Sequence, residues 1–152
     1  MPNEQLYDLA IRAAEMNDAA ALAHLVCELG YATTESEMQM RLERIVADER
    51  YRTFAAVVDG KVCGMIGTLT DPSIEHNDLS GRIAALVILR TMRRRGIGRA
   101  LIAIAEKDFI ERGVRRVALN TKLSREDAHT FYESLDCERN GWRFVKQLSV
   151  RE

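Results

Sequence analysis

The stretch ALVILRTMRRRGIGRALI (residues 85–102) decides how the chain folds. It opens on an apolar run, crosses a basic connector, turns at two glycines one residue apart, Gly96 and Gly98, and resumes with apolar residues at helical spacing. RIAALVIL (residues 82–89) is apolar almost without interruption, as in a strand buried on both faces. Beyond the glycines, Ile97, Leu101, Ile104 and Ala105 mark one helix face, Ile102 and Phe109 widen it, and Gly113 falls where a helix-ending glycine belongs. VRRVALNT (residues 114–121) then reads as a strand. The order strand, glycine turn, helix, strand predicts two parallel strands joined by a right-handed crossover.

A turn that opens a helix presents backbone N–H groups and the positive end of the helix dipole, a natural seat for phosphate. Glycines at 96 and 98 let an anion approach that backbone, and the arginines add charge. A Walker A loop is excluded, because no Lys-Ser/Thr pair follows the second glycine. A dinucleotide fingerprint does not fit either: RTMRRR (residues 90–95) separates strand from turn, Leu101 stands at the third glycine position, and the next strand ends in Asn120 rather than an acid. A third design remains, in which a strand, a connector of several residues and R/Q-x-x-G-x-G/A open a helix over the pyrophosphate of coenzyme A.

Working outward, LAIRAA (residues 9–14) suits a short strand. NDAAALAHLVCELG (residues 17–30) carries Leu22, Leu25, Val26 and Leu29 at i, i+3, i+4, i+7, with Asn17 or Asp18 as cap and Gly30 as stop. Thr34 and Glu37 form a capping box for a second helix bearing Met38, Leu42, Ile45 and Val46. TFAAVVDGKVCGMIGTLT (residues 53–70) is two β-rich runs around Asp59-Gly60, a pair that accepts the positive φ angles of a type I′ turn, so a hairpin is predicted. Residues 71–80 read as a loop. Ser124 with Asp127 resembles a cap box ahead of a helix through Ala128, Phe131, Tyr132 and Leu135, and WRFVKQLSV (residues 142–150) reads as a closing strand.

The 152 residues have the size of one domain, and a single domain over residues 1–152 is expected. No apolar run approaches the roughly 18 residues of a membrane span, and the N-terminus lacks the pattern of a signal peptide, so neither a membrane nor export is implied and a cytoplasmic location is expected. Cys27, Cys63 and Cys137 show no C-x-x-C spacing and the three histidines are scattered, so no metal site is implied. Residues 1–80 hold 6 basic and 14 acidic side chains, net −8, whereas residues 81–152 hold 16 and 9, net +7. The C-terminal half thus has the field for a polyanion and the N-terminal half for a cation. Nucleic acid is not the expected polyanion, since no reading motif or aromatic platform accompanies the arginines.

ALVILRTMRRRGIGRALI resembles motif A of the GNAT superfamily of N-acetyltransferases, with Arg93, Gly96 and Gly98 at the R-x-x-G-x-G positions. EDAHTFYESLDCERNGWRFVK (residues 126–146) is similar to the family's motif B, A-x-x-F-Y-E-x-L followed by a closing strand. The two motifs stand in the family's order, and the upstream strand, two helices and hairpin agree with its fold. The resemblance implies a mixed α/β (α+β) domain: a mostly antiparallel sheet of about six or seven strands, a parallel splayed pair formed by the fourth and fifth, and about four helices.

By position, the resemblance gives the backbone of Leu86, Val87 and Ile88 to the pantetheine arm of acetyl-CoA, with an N–H there polarising the thioester carbonyl. It gives the segment from Arg94 through Arg95, Gly96, Ile97 and Gly98 to Arg99 to the pyrophosphate, and adds Asn120 to the cofactor-binding set. Tyr132 matches the general acid that protonates the departing thiolate, a role suited to a phenol of pKa near 10. Arg125 replaces an asparagine that often contacts the cofactor, and Asp136-Cys137 stands where Gly-aromatic usually follows the helix; aspartate tolerates the left-handed conformation needed there. No strand carboxylate offers itself as the base for the amine, so Glu28, Glu75, His76, Asp78 and an ordered water all stay open. The expected reaction is direct acetyl transfer to a primary amine in a ternary complex; a module that only senses acetyl-CoA is the alternative. A longer acyl donor and a homodimer are both compatible with the resemblance.

Overall fold

The computed structural model describes residues 8–122 and 124–149. These divide into two compact units, Met1–Ala118 and Leu119–Glu152. In the first, five strands form one sheet in the order β1-β2-β3-β4-β5: β1 Leu9–Ala13, β2 Tyr51–Val58, β3 Lys61–Asp71, β4 Ser80–Ile88 and β5 Arg116–Ala118. The first four run antiparallel to their neighbours, and β5 lies parallel to β4. The helices of this unit are α1 Ala19–Leu29, α2 Glu35–Val46 and α3 Ile97–Glu111; a fourth, α4 Glu126–Glu133, belongs to the second unit.

Local chemistry accounts for most of these elements. Thr34 Oγ1 accepts from Glu37 N at 3.1 Å and Glu37 Oε1 accepts from Thr34 N at 2.9 Å, the reciprocal capping box that starts α2. Asp59 and Gly60, at φ 51° and 78°, turn β2 into β3 as a type I′ pair would. Asp18 lies in a short 3-10 turn ahead of α1, where its carboxylate takes both terminal nitrogens of Arg12, at 2.8 and 2.9 Å, and the amide of Glu15. The Arg12 guanidinium, by hydrogen bond first, holds that carboxyl below its usual range.

Sheet register assigns the helices to opposite faces. Met65 and Val87 are partners and pack with Leu22, Leu25, Met38 and Leu42 of α1 and α2. Their neighbours Gly64 and Ile88, also partners, point the other way, where a Cβ on Gly64 would come within 3.4 Å of Leu101 on α3. Leu101 and Phe109 are fully buried on that side. The far end of α3 is tied to the sheet by Arg112, which donates to Thr70 Oγ1 at 2.9 Å and Asp108 Oδ2 at 3.1 Å.

Strand β4 corrects one expectation. Gly67 is opposite Ala85 but Thr68 is opposite Ile83, so Ala84 is an extra residue, a β-bulge. The bulge switches the faces: Ala85 and Val87 look toward α1, Ile83 and Gly81 toward α3. A strand that changes face reads in sequence as apolar throughout, yet Arg82 and Ala84 are exposed, so it is not buried on both faces. Gly81 supplies a test of this packing, because its added Cβ would lie 2.8 Å from Val114 Cγ1 and 2.9 Å from Phe109 Cε1. Gly81→Ala should destabilise the protein by about 1–3 kcal/mol in urea unfolding; unchanged stability would show that Phe109 is not seated against β4.

Two further expectations fail. The sheet has five strands rather than six or seven among the described residues. Residues 142–149 take no regular structure, with Trp142 79% and Phe144 93% exposed; Val150 lies outside the described residues. An alternating apolar pattern makes a strand only when a neighbour accepts its hydrogen bonds, and residues 142–149 pair with no strand among the described residues. Strand β5 is three residues long rather than the predicted run of eight. Ser124 is not the cap of α4: Arg125 holds that position, without a side-chain cap bond.

Candidate active site

Strand β5 pairs with β4 only from Ser80↔Arg116 to Arg82↔Ala118. Past Arg82, and past the bulge at Ala84, β4 keeps β3 on one side and has no strand on the other among the described residues. The direction of its backbone groups follows from one bond. Leu89 N donates to Cys63 O at 2.8 Å, so Leu89 and, two residues back, Val87 turn their amide and carbonyl toward β3. Leu86 and Ile88 turn theirs to the open edge. Of the three residues assigned to pantetheine, only these two therefore offer backbone groups there; the Val87 side chain is in the core.

The edge runs into the basic connector. A 3-10 turn, Arg90–Met92, is followed by Arg93 in an extended conformation, whose Nε donates back to Ile88 O at 3.3 Å. Arg94 and Gly96 both have positive φ, 63° and 82°, the first an uncommon state for a residue with a Cβ. Left-handed residues on either side of Arg95 bend the chain into the start of α3. Gly96 is the N-cap of α3 and brings no side chain to the helix end. The first intrahelical bond is Ala100 N to Gly96 O at 3.0 Å, so the amides of Ile97 and Gly98 precede the helical ladder and face out along its positive end. Ile97 itself is 2% exposed and pins the helix start to the core, while Arg94, Arg95 and Arg99 are exposed around the turn.

In the second unit, Tyr132 is half-buried on α4, its ring 5.3 Å from that of Phe131 in an edge-to-face arrangement. Burial, and secondarily Cys137, push the phenol pKa up against a smaller opposing effect of Arg125. Asp136 has φ 65°, the left-handed conformation expected of it. Asn120 is exposed, two residues beyond β5.

The candidate bases separate. Glu75, His76 and Asp78 lie in the loop before Ser80, where they line a cleft with Arg115 and Arg116. Burial is the largest single influence on the Asp78 carboxyl and favours its neutral form, but the hydrogen bond from Arg116 at 2.9 Å, its own backbone amide and the nearby positive charge together outweigh it and hold the pKa below its usual range. Glu28 stands at the other end of β4, its Oε1 accepting the amide of Arg90 at 2.9 Å. Sequence reasoning missed that contact and the left-handed state of Arg94; the first joins distant parts of the chain, and the second has no compositional signal. No group of three or more His, Cys, Asp or Glu side chains suited to a metal occurs among the described residues.

Residues 8–136 match the acetyltransferase (GNAT) family, and the chain belongs to that family. It is similar to an aminoalkylphosphonate N-acetyltransferase of Salmonella typhimurium, 32% identical over 142 residues, which covers 81% of this chain and 92% of the relative. Among solved structures, a GNAT family acetyltransferase of Staphylococcus aureus superposes with a TM-score of 0.79 at 25% identity, covering 92% of this chain and 98% of the other. An aminoglycoside N-acetyltransferase solved with CoA shares the fold, with a TM-score of 0.83 at 17% identity over 95% of this chain and 97% of its own. The protein is an acyltransferase of the N-acetyltransferase type, from a family that uses acetyl-CoA. No helix among the described residues is long and apolar enough to cross a membrane.

Proposed function

We propose that the protein, acting as one domain over residues 1–152, transfers an acetyl group from acetyl-CoA to a primary amine of a small molecule or peptide within a ternary complex. The observation that carries this reading is the open edge of β4 leading directly into the start of α3, whose N-cap residue, Gly96, has no side chain. An extended amide-bearing arm can pair with Leu86 and Ile88, and the pyrophosphate that follows it reaches the amides from Arg94 to Arg99. The arginines add charge-assisted contacts, and Asn120 supplements the donor site.

In the reaction the amine nitrogen forms a bond to the thioester carbonyl carbon, an N–H of β4 stabilises the developing oxyanion, and the carbon–sulfur bond breaks. The leaving thiolate takes its proton from Tyr132, the acceptor nitrogen loses its proton to solvent water, and the tyrosinate is reprotonated from solvent before the next turnover. A phenol is protonated at neutral pH, and burial of Tyr132 extends that state to more alkaline pH. The similarity to an aminoalkylphosphonate N-acetyltransferase, at 32% identity, supports small amines bearing an anionic group as the first acceptors to test. Thiol release from acetyl-CoA, measured with aminoalkylphosphonates, polyamines, aminoglycosides and peptide amines and followed by mass analysis of the product, tests the proposal. Release with at least one amine, with the acetyl group on its nitrogen, is expected; tight acetyl-CoA binding with no release from any of them would overturn it.

A further inference from the structure

The connector that carries the anion-binding turn is held from α1. Arg90 N donates to Oε1 of Glu28 at 2.9 Å across 62 residues of sequence, and the other carboxylate oxygen lies 3.2 Å from His24 Nε2 one helical turn back. The neighbouring bonds run elsewhere: Leu89 N to Cys63 O on β3, Met92 N to Leu89 O and Arg93 Nε to Ile88 O. These tie the connector to the sheet or to itself, whereas Glu28 ties it to the helical layer. Leu89, the last residue before the connector, packs against the apolar cluster of α1 and α2, but from Arg90 onward apolar packing does little, because Arg90, Thr91 and the run from Arg93 to Gly96 are exposed and the next deeply buried side chain is Ile97. Glu28 is only 21% exposed at its side chain, so its carboxylate is set in place rather than waving in solvent.

An anion held by backbone amides is bound only as well as those amides are aimed, and they move together when the segment carrying them shifts. We propose that Glu28 is a positioning residue of the donor site: by holding the Arg90 amide it fixes where the chain leaves β4 and so aims the amides from Arg94 to Gly98. The inference rests on the assignment of those amides to the pyrophosphate of coenzyme A. It gives Glu28 a task that needs a hydrogen-bond acceptor and no proton transfer, which separates it from the part of general base.

The test is the affinity of the whole protein for CoA, measured by calorimetry, together with hydrogen exchange at the Arg90 amide. Glu28→Ala should weaken CoA binding about tenfold, equivalent to about 1.4 kcal/mol, and speed exchange at Arg90. Glu28→Gln keeps a carbonyl oxygen at the same reach and should bind CoA within about twofold of the parent. Glu28→Asp, one methylene short, should fall between them and serves if the alanine variant does not fold. Parental affinity in Glu28→Ala, or an equal loss in Glu28→Gln and Glu28→Ala, would overturn the positioning role while leaving the donor site standing. A parent protein that does not bind CoA would overturn both.

Discussion

Tyr132→Phe should lower kcat by about 100- to 10,000-fold, the range that a positioned general acid contributes, while CoA affinity stays within about twofold. The substitution removes one oxygen from a half-buried ring and keeps the packing against Phe131, so the fold has little to lose. The departing thiolate has more to lose, since without the phenol it must leave unprotonated or take a proton from water. The pH dependence gives a second readout. An acid works only below its pKa, and burial moves that of Tyr132 upward, so activity should hold to more alkaline pH than an ordinary phenol near 10 would allow and fall beyond it. In Tyr132→Phe the alkaline fall assigned to this group should vanish. Parental turnover in the variant would show that the thiolate leaves without this acid.

Gly98→Val should weaken CoA binding by about 100-fold or more, about 2.8 kcal/mol. Gly98 is the second residue of α3, among the amides that precede the first intrahelical bond, and a branched side chain there stands between those amides and an approaching pyrophosphate. The helix itself tolerates the change, since valine at a helical position costs at most about 0.7 kcal/mol in propensity relative to alanine. Calorimetric titration with CoA, beside a thermal melt showing that the variant is folded, separates the two effects. Retained affinity would refute the phosphate site. The variant differs in kind from one at Gly96, where φ 82° makes any side chain a strain on the backbone itself.

These expectations rest on features that differed in how visible they were in sequence. The Thr34–Glu37 capping box, the Asp59-Gly60 turn and the helix from Ile97 to the glycine at 113 are made by residues a few positions apart, and each occurs as read. The parallel β4–β5 pair also follows from order alone, since the crossover helix between them leaves little choice. What sequence pattern does not carry is pairing between distant strands. The bulge at Ala84 exists only in the register of β4 against β3, and it turns an apparently two-faced apolar run into a strand that switches faces. The closing strand failed for the same reason: the alternation in residues 142–150 describes a side-chain pattern, whereas a strand is defined by its neighbour.

The candidate site divides along the same line. Gly96 and Gly98 announce themselves by spacing, and the gap of six residues before Gly96 distinguishes this turn from a dinucleotide fingerprint. That Leu86 and Ile88, rather than Val87, face the open edge follows only from the bond between Leu89 and Cys63. Glu28 could be named as a carboxylate in sequence, but its partner Arg90 is brought to it by the packing of α1 beside the end of β4. A backbone amide leaves no trace in composition.

The central claim is that the chain holds its acyl donor by backbone, along the open edge of β4 and around the start of α3. Titrating the protein with CoA while following its amide resonances tests this most directly. Saturable shifts concentrated at Leu86, Ile88 and the run from Arg94 to Arg99, with Val87 less affected, are predicted. Saturable binding that leaves these amides unmoved, or no binding at all, would contradict it.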